Sequence, residues 1–366
     1  MFAERKRKYV WAFPILIVVV VLFILLKPSQ PTSTLQSGQA QGQEKITTIR
    51  IAVPDISSSS HPSSGAALVD HVYLNQMIQK ELAPLNVKVE WQFFKGAGPA
   101  VNEALANDQV DFAFLGDLAM IIGKSKGIDT RLLMAISRDT PGYLAVLPNK
   151  GYNSLAALKG KRIAVFQGTA MQLSFNQFIH QYGFSEKDFR IVNMDPAAAN
   201  AALAAGQIDA GWGLMNNLAL KLKGIVEIPL SSRDSQGAGS IQTGLIATKG
   251  FIKTHPEIVQ KLVNAVLKSA YYVGQDENRD TAIQLVTQNA GYSKQLYALN
   301  LDALSLKDMH SPRLDSSYLD HLQTGVRTAL DAKLIKNDIQ IKQWIDPQFV
   351  DTGIKHLGYV QFWPEK

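Results

Sequence analysis

No cysteine occurs in the 366 residues. That excludes a lipid-modified N-terminal cysteine, a disulfide framework, a thiolate zinc site and a cysteine nucleophile. Histidine is scarce, at seven residues, and none falls in His-Glu-x-x-His spacing, so a metalloprotease-type zinc site has no support. No Gly-x-Ser-x-Gly elbow is present. The stretch "KGAGPAV", Lys95 to Val101, lacks the third glycine of a dinucleotide fingerprint and carries Pro99 inside it. Charge is thin as well: 19% of residues are charged against 46% hydrophobic, with a net charge of +6. Residues 1–45 hold six Lys/Arg against two acids and so account for four of those charges. The remainder is close to neutral, and no nucleic-acid partner is expected.

What is present begins with a basic cluster, Arg5 to Lys8, followed by the uncharged run Val10 to Leu26. At 17 residues this run is at the lower limit for a spanning helix. Positive charge ahead of it orients the N-terminus to the cytoplasm. The expectation is an N-terminal transmembrane helix over residues 1–27 serving as an uncleaved anchor, with a cleaved signal as the alternative. Residues 28–45, rich in Gln, Ser, Thr, Pro and Gly, read as a flexible linker. The rest then lies on the periplasmic side of the inner membrane, or free in the periplasm if the segment is cleaved.

From Ile46 onward strand-like and helix-like segments alternate, which predicts an α/β fold. The word "RIAV" opens two strands, at Arg50 and at Arg162. At a spacing of 98, Ala104, Leu105, Ala106, Gln109 and Asp111 match Ala202, Leu203, Ala204, Gln207 and Asp209. The echo predicts two lobes built on one βαβαβ plan. Lobe 1 is placed at 46–142, lobe 2 at 143–243, and the return to lobe 1 with C-terminal helices at 244–366. The strands "YLAVLP" (Tyr143 to Pro148) and "GLIATK" (Gly244 to Lys249) are read as the crossovers. "HPEIVQKLVNAVLKSAYYV" predicts a long amphipathic helix with Pro256 near its start.

Candidate ligand-binding residues sit where strands hand over to helices. In "FQGTAMQ", covering Gln167, Gly168, Thr169 and Ala170, Thr169 and Gln172 have the spacing of a capping box. Gly168 removes a Cβ where a ligand could approach free amides; the alternative is a helix cap and nothing more. Gly116 and Asp117 repeat the junction, with Asp117 as an N-cap or a ligand carboxylate. Ser59, Ser60 and His61 form either a polar wall or filler. Arg138 is either solvated or a counter-charge for an acidic ligand. Trp212 could stack on a ligand or pack in the cleft, while Asn216 and Gln242 offer amides. No catalytic residue and no metal or other cofactor is nominated; Asp117 with His61 is the acid–base pair an enzymatic reading would need.

Taken in order, "LNVKVEWQFF", "EALANDQVDFAFLGDLA", "SLAALKGKRIAVFQGTA", "AALAAGQIDAGW" and "HPEIVQKLV" resemble the solute-binding proteins of ABC importers. The group is the one similar to aliphatic sulfonate, taurine and nitrate binding proteins, and the resemblance spans about Ile46 to Gly358. It implies a two-lobed type II periplasmic-binding-protein fold and capture of a small polar or anionic solute in the inter-lobe cleft. It also implies delivery, as a monomer and not as an enzyme, to a membrane permease with its ATPase. Gly116 and Asp117 match the family's strand-end Gly-Asp, and Gly168 and Thr169 match the loop that holds an anionic head. Where family members continue with Trp and Asp-Pro, this chain reads "DAGWGLMNNLA". A membrane-tethered sensor and a binding protein for a thiamine-precursor pyrimidine are the alternatives.

Overall fold

The computed structural model describes residues 47–57, 61–290, 293–302 and 304–365. The apolar run Val10 to Leu26 and the linker 28–45 lie outside the described residues. Among the described residues no helix is long and apolar enough to cross a membrane.

Among the described residues ten strands form two sheets. They are β1 (Thr48–Pro54), β2 (Lys88–Phe94), β3 (Phe112–Gly116), β4 (Thr130–Thr140), β5 (Tyr143–Val146), β6 (Arg162–Val165), β7 (Arg190–Asn193), β8 (Ala210–Gly213), β9 (Glu227–Ser231) and β10 (Ile241–Thr248). Among the described residues seven helices lie between strands: α1 (Ala67–Leu74), α2 (Met77–Leu82), α3 (Ala97–Ala106), α4 (Asp117–Ser125), α5 (Ala170–Gln181), α6 (Pro196–Ala204) and α7 (Met215–Leu222). The C-terminal region is helical: α8 (Lys249–Thr254), α9 (Pro256–Val273), α10 (Arg279–Ala290), α11 (Lys294–Leu301), α12 (Leu306–Met309), α13 (Ser316–Asp331), α14 (Ile341–Trp344) and α15 (Gln348–His356).

The two sheets share a plan. Sheet order is β2-β1-β3-β10-β4 in lobe 1 and β7-β6-β8-β5-β9 in lobe 2. In each, three parallel strands are followed by an antiparallel fourth strand, β10 in one and β5 in the other. The β-branched "RIAV" strands sit second, flanked on both sides, which buries Ile51 and Ile163 completely. The repeated Arg and Asp have a shared job. Arg50 donates from its backbone N (2.8 Å) and its Nε (3.0 Å) to Asp111 Oδ2, and Arg162 makes the same two bonds to Asp209 Oδ2 at 3.0 and 3.1 Å. Each pair locks the start of the first strand to the residue preceding the third.

The crossovers are shorter than the strands read from sequence. β5 lies wholly in sheet 2 and β10 wholly in sheet 1, so the chain crosses at residues 141–142 and again over 232–240. Asp139, in the left-handed region at φ +53°, ties the two crossings together. Its carboxylate accepts from Gln242 Nε2 (2.9 Å) and Ser240 Oγ (3.2 Å).

The long helix predicted after Thr254 is α9. It opens at Pro256, whose missing N–H costs nothing at a first helical position, and it lays Val259, Leu262, Val263, Val266 and Ala270 against the lobe 1 core. Two C-terminal elements also touch lobe 2: α11 packs on α7, and α13 packs on α5. Leu173 of α5 is fully buried in the lobe 1 cluster with Ile121, close enough to α13 that a Cβ on Gly325 would stand 3.1 Å from it.

Candidate functional site

Between the lobes lie two adjoining compartments. The outer one, about 140 Å³, is bounded by Ala97 and Gly98 of α3, Gly116 ahead of α4, Thr169 and Ala170 at the start of α5, and Leu214 ahead of α7. The inner one, about 110 Å³, runs from Ser137 and Thr140 to Asn216 and then beneath α9–α12. Both are walled by Ile56, Ser64, Met171, Leu214, Ile241 and Thr243. The lobes meet beside the outer compartment: a Cβ on Gly116 would come within 2.6 Å of the Ala170 Cβ. Gly168, at φ +74°, faces Pro99 of the opposite lobe, and a Cβ there would stand 3.0 Å from the Pro99 Cγ.

Helix starts dominate the outer walls, and they are not equivalent. Thr169 is the N-cap of α5, accepting from Met171 N at 3.3 Å and donating to the Phe166 carbonyl at 2.6 Å. Gln172 reaches back to Gly168 N at 2.8 Å, one residue earlier than a capping box requires. The hydroxyl is therefore committed, while the amides of Thr169 and Ala170 have no acceptor among the described residues. Gly96 gives α3 no side-chain cap. Asn216 caps the Leu214 amide at 2.9 Å and is itself held by Asn200 and Asn217 at 3.0 Å each. By contrast α1 and α4 carry Asp70 and Asp117 in their first turns.

These carboxylates face away from the compartments. Asp70 receives Ser63 Oγ at 2.5 Å and Ser64 Oγ at 2.8 Å, and burial holds its pKa above the usual carboxylate range despite those bonds. Asp117 accepts from its neighbour Leu118 N (2.7 Å) and from Gln242 N of β10 (3.2 Å), with His321 Nε2 at 3.4 Å. Among the described residues no lysine or arginine lines either compartment. The titratable side chains on the walls are Tyr297 and His310. Burial lowers the His310 pKa to about 4 and raises that of Tyr297, so both are neutral at physiological pH.

Of the residues nominated from sequence, Gly116, Thr169, Ala170 and Asn216 meet at the cleft. Ser59 and Ser60 lie outside the described residues. His61 is exposed on its loop and lines neither compartment, so Asp117 has His321, not His61, beside it. Gln167 is also exposed, its amide bonded to Asn193 Oδ1 at 3.0 Å. Arg138 lines neither compartment. It is buried, paired with both oxygens of Asp315 at 2.9 and 3.0 Å, and bonded to the carbonyls of Ser311 and Arg313. Trp212 is not open either. Its ring stacks on Phe178 and stands where a Cβ on the hinge residue Gly142 would be 2.3 Å away, and its Nε1 donates to Ser174 Oγ at 2.9 Å. Gln242 serves the hinge through Asp139, and strand alternation turns its neighbours Ile241 and Thr243 to the cleft instead. Thr243 was missed, although the same alternation could have found it. Its Oγ1 is buried with no hydrogen-bond partner.

Two lobes of one plan, a double-stranded hinge and a cleft walled by helix starts define a two-lobed periplasmic-binding fold. The chain belongs to the NMT1/THI5-like family, whose profile matches residues 86–279. It is 26% identical over 309 residues to an aliphatic sulfonates-binding protein of Bacillus subtilis, covering 78% of this chain and 90% of the relative. A periplasmic sulfonate-binding protein of a sulfonate ABC transporter from Methylobacillus flagellatus superposes with a TM-score of 0.77 at 30% identity, covering 88% and 98% of the two chains. A desulfurization enzyme crystallised with biphenyl-2-sulfinic acid also matches, with a TM-score of 0.62 at 16% identity, over 85% of this chain and 100% of the other. At that identity the likeness extends to the fold alone, and the fold is thus one that carries both binding proteins and an enzyme.

Proposed function

We propose that this protein is the extracytoplasmic solute-binding component of an ABC importer, and that it captures a small organic anion of the sulfonate class between its lobes for a membrane permease. One observation carries the reading. The helix starts that reach the outer compartment without a carboxylate, those of α3, α5 and α7, converge on one charge-free space. Aligned peptide dipoles and free amides favour an anion there without a permanent counter-charge. Apart from the hydroxyls of Ser64 and Thr243, the walls are largely carbon, which suits an anion bearing an aliphatic part better than nitrate. They also offer no carboxylate for the ammonium of taurine. Capture, not catalysis, fits a cleft whose walls lack an ionised acid or base.

A thermal-shift panel tests this with alkanesulfonates, taurine, nitrate, bicarbonate and a thiamine-precursor pyrimidine. A ligand at about 100 times its dissociation constant stabilises the folded state by roughly 2.7 kcal/mol. Alkanesulfonates should raise the midpoint most. A shift with the pyrimidine alone, or with nothing in the panel, would overturn the sulfonate reading.

A further inference from the structure

The inner compartment is built differently from the outer one. Its far wall comes from the C-terminal helices, with Val273 of α9, Ala282 of α10, Leu301 of α11 and Leu306 and Met309 of α12. Its polar groups have their own partners. Tyr143 OH donates to Asn300 Oδ1 at 3.1 Å, Ser137 and Thr140 hydroxyls share a bond of 2.8 Å, and His310 Nδ1 lies 3.4 Å from the Ile136 carbonyl. What these walls present to a guest is therefore an apolar surface. The exception stands at the neck, where both compartments share Thr243 and its Oγ1 has no partner. A buried hydroxyl left unpaired is unfavourable, and a polar atom of a ligand passing the neck would relieve it.

The wall is also tied to the second crossing between the lobes. Arg233, just after β9, donates to the carbonyls of Asn300 (2.6 Å) and Asp302 (2.8 Å) at the end of α11.

Resting on the solute-binding reading above, we propose that the ligand spans both compartments: its anionic head lies among the helix starts, a polar atom meets Thr243 at the neck, and an apolar body fills the inner compartment. The preferred solute class is then an organosulfonate with an extended alkyl or aryl body, not a one- or two-carbon sulfonate.

Titration calorimetry of the full chain with 1-alkanesulfonates from methane- to decanesulfonate reads this directly. Each methylene buried should tighten binding about fourfold, the equivalent of about 0.8 kcal/mol, until the inner compartment is full. Ala282→Phe should flatten that rise, and Met309→Ala, which opens the same wall and is the gentler change, should shift the optimum to a longer chain. A wild-type affinity independent of chain length, or an optimum that Met309→Ala does not move, overturns the two-compartment ligand and leaves the sulfonate reading intact. Absence of binding by every sulfonate overturns both.

Discussion

Lobes 1 and 2 repeat one topology and one Arg–Asp clamp, yet they treat their helix starts in opposite ways. Where the first strand of lobe 1 leads into Asp70, the equivalent strand of lobe 2 leads into Thr169. Where the third strand of lobe 1 leads into Asp117, that of lobe 2 leads into Asn216. The third pair runs the other way, with Gly96 uncapped in lobe 1 and Asp195 capping α6 in lobe 2. Duplication therefore supplied six helix starts around a cleft, and acid placement decides which of them remain electropositive. On the proposed function, charge selection would rest on capping residues, with no lysine or arginine among the described residues that line the compartments.

Lobe 1 has a further support that lobe 2 lacks, the buried Arg138–Asp315 pair between β4 and the start of α13. Arg138→Met should break the comparison most severely, because it strands a buried carboxylate. A loss of about 3–5 kcal/mol is expected in urea unfolding. A loss under 1 kcal/mol would restore the solvated arginine that the sequence allows.

The inner compartment, which draws its far wall from the C-terminal helices of lobe 1, should also leave a pH signature. Unfolded His310 takes up its proton near pH 6.5, whereas the buried ring takes it up only at about pH 4. The unfolded state then binds more protons in that window, so stability falls as pH drops from about 6.5 to 4, by roughly 3 kcal/mol in all. In His310→Asn that component of the pH dependence should be absent. An unchanged acid slope in the variant would place His310 in water.

The clamps offer a subtler contrast. In lobe 1 the guanidinium meets both oxygens of Asp111, the second at 2.7 Å, and it also reaches the Asp108 carbonyl. In lobe 2 only Oδ2 of Asp209 is engaged, and Tyr152 OH completes the other side at 3.3 Å. Burial raises the Asp209 pKa, but the Arg162 amide and guanidinium outweigh it and hold the carboxylate below its usual range. Its contribution is therefore present at neutral pH and lost as pH falls below the ordinary aspartate range. Asp111→Ala should cost about 1–2 kcal/mol and Asp209→Ala about half of that, read as midpoint shifts in denaturant. Equal losses would mean the two clamps are energetically the same.

How much of this could be read from the chain follows from the range of each interaction. The repeat was visible because "RIAV" and "Q-[V/I]-D" are local words that each occur twice, 112 and 98 positions apart, whereas the pairing of their Arg and Asp is a long-range contact that the words do not announce. Thr169 was visible as a cap because a cap is decided within one turn. Arg138 and Trp212 were misplaced because their partners, Asp315 and Gly142, stand 177 and 70 positions away and leave no local trace. The inner wall was missed altogether: Ala282, Leu306 and Met309 are ordinary helix residues until α10–α12 fold over the cleft. Thr243 lay within reach, since one step along an alternating strand separates it from Gln242.

The most direct test of a charge-free anion site is to make lobe 2 resemble lobe 1. Thr169→Asp retains a good N-cap, so the fold should keep its stability within about 1 kcal/mol. It also sets a carboxylate beside the proposed head group. Titration of 1-hexanesulfonate into wild type and variant should show clear binding to the first and at least a roughly hundredfold loss in the second. Equal affinity in both proteins would contradict an anion held at the start of α5.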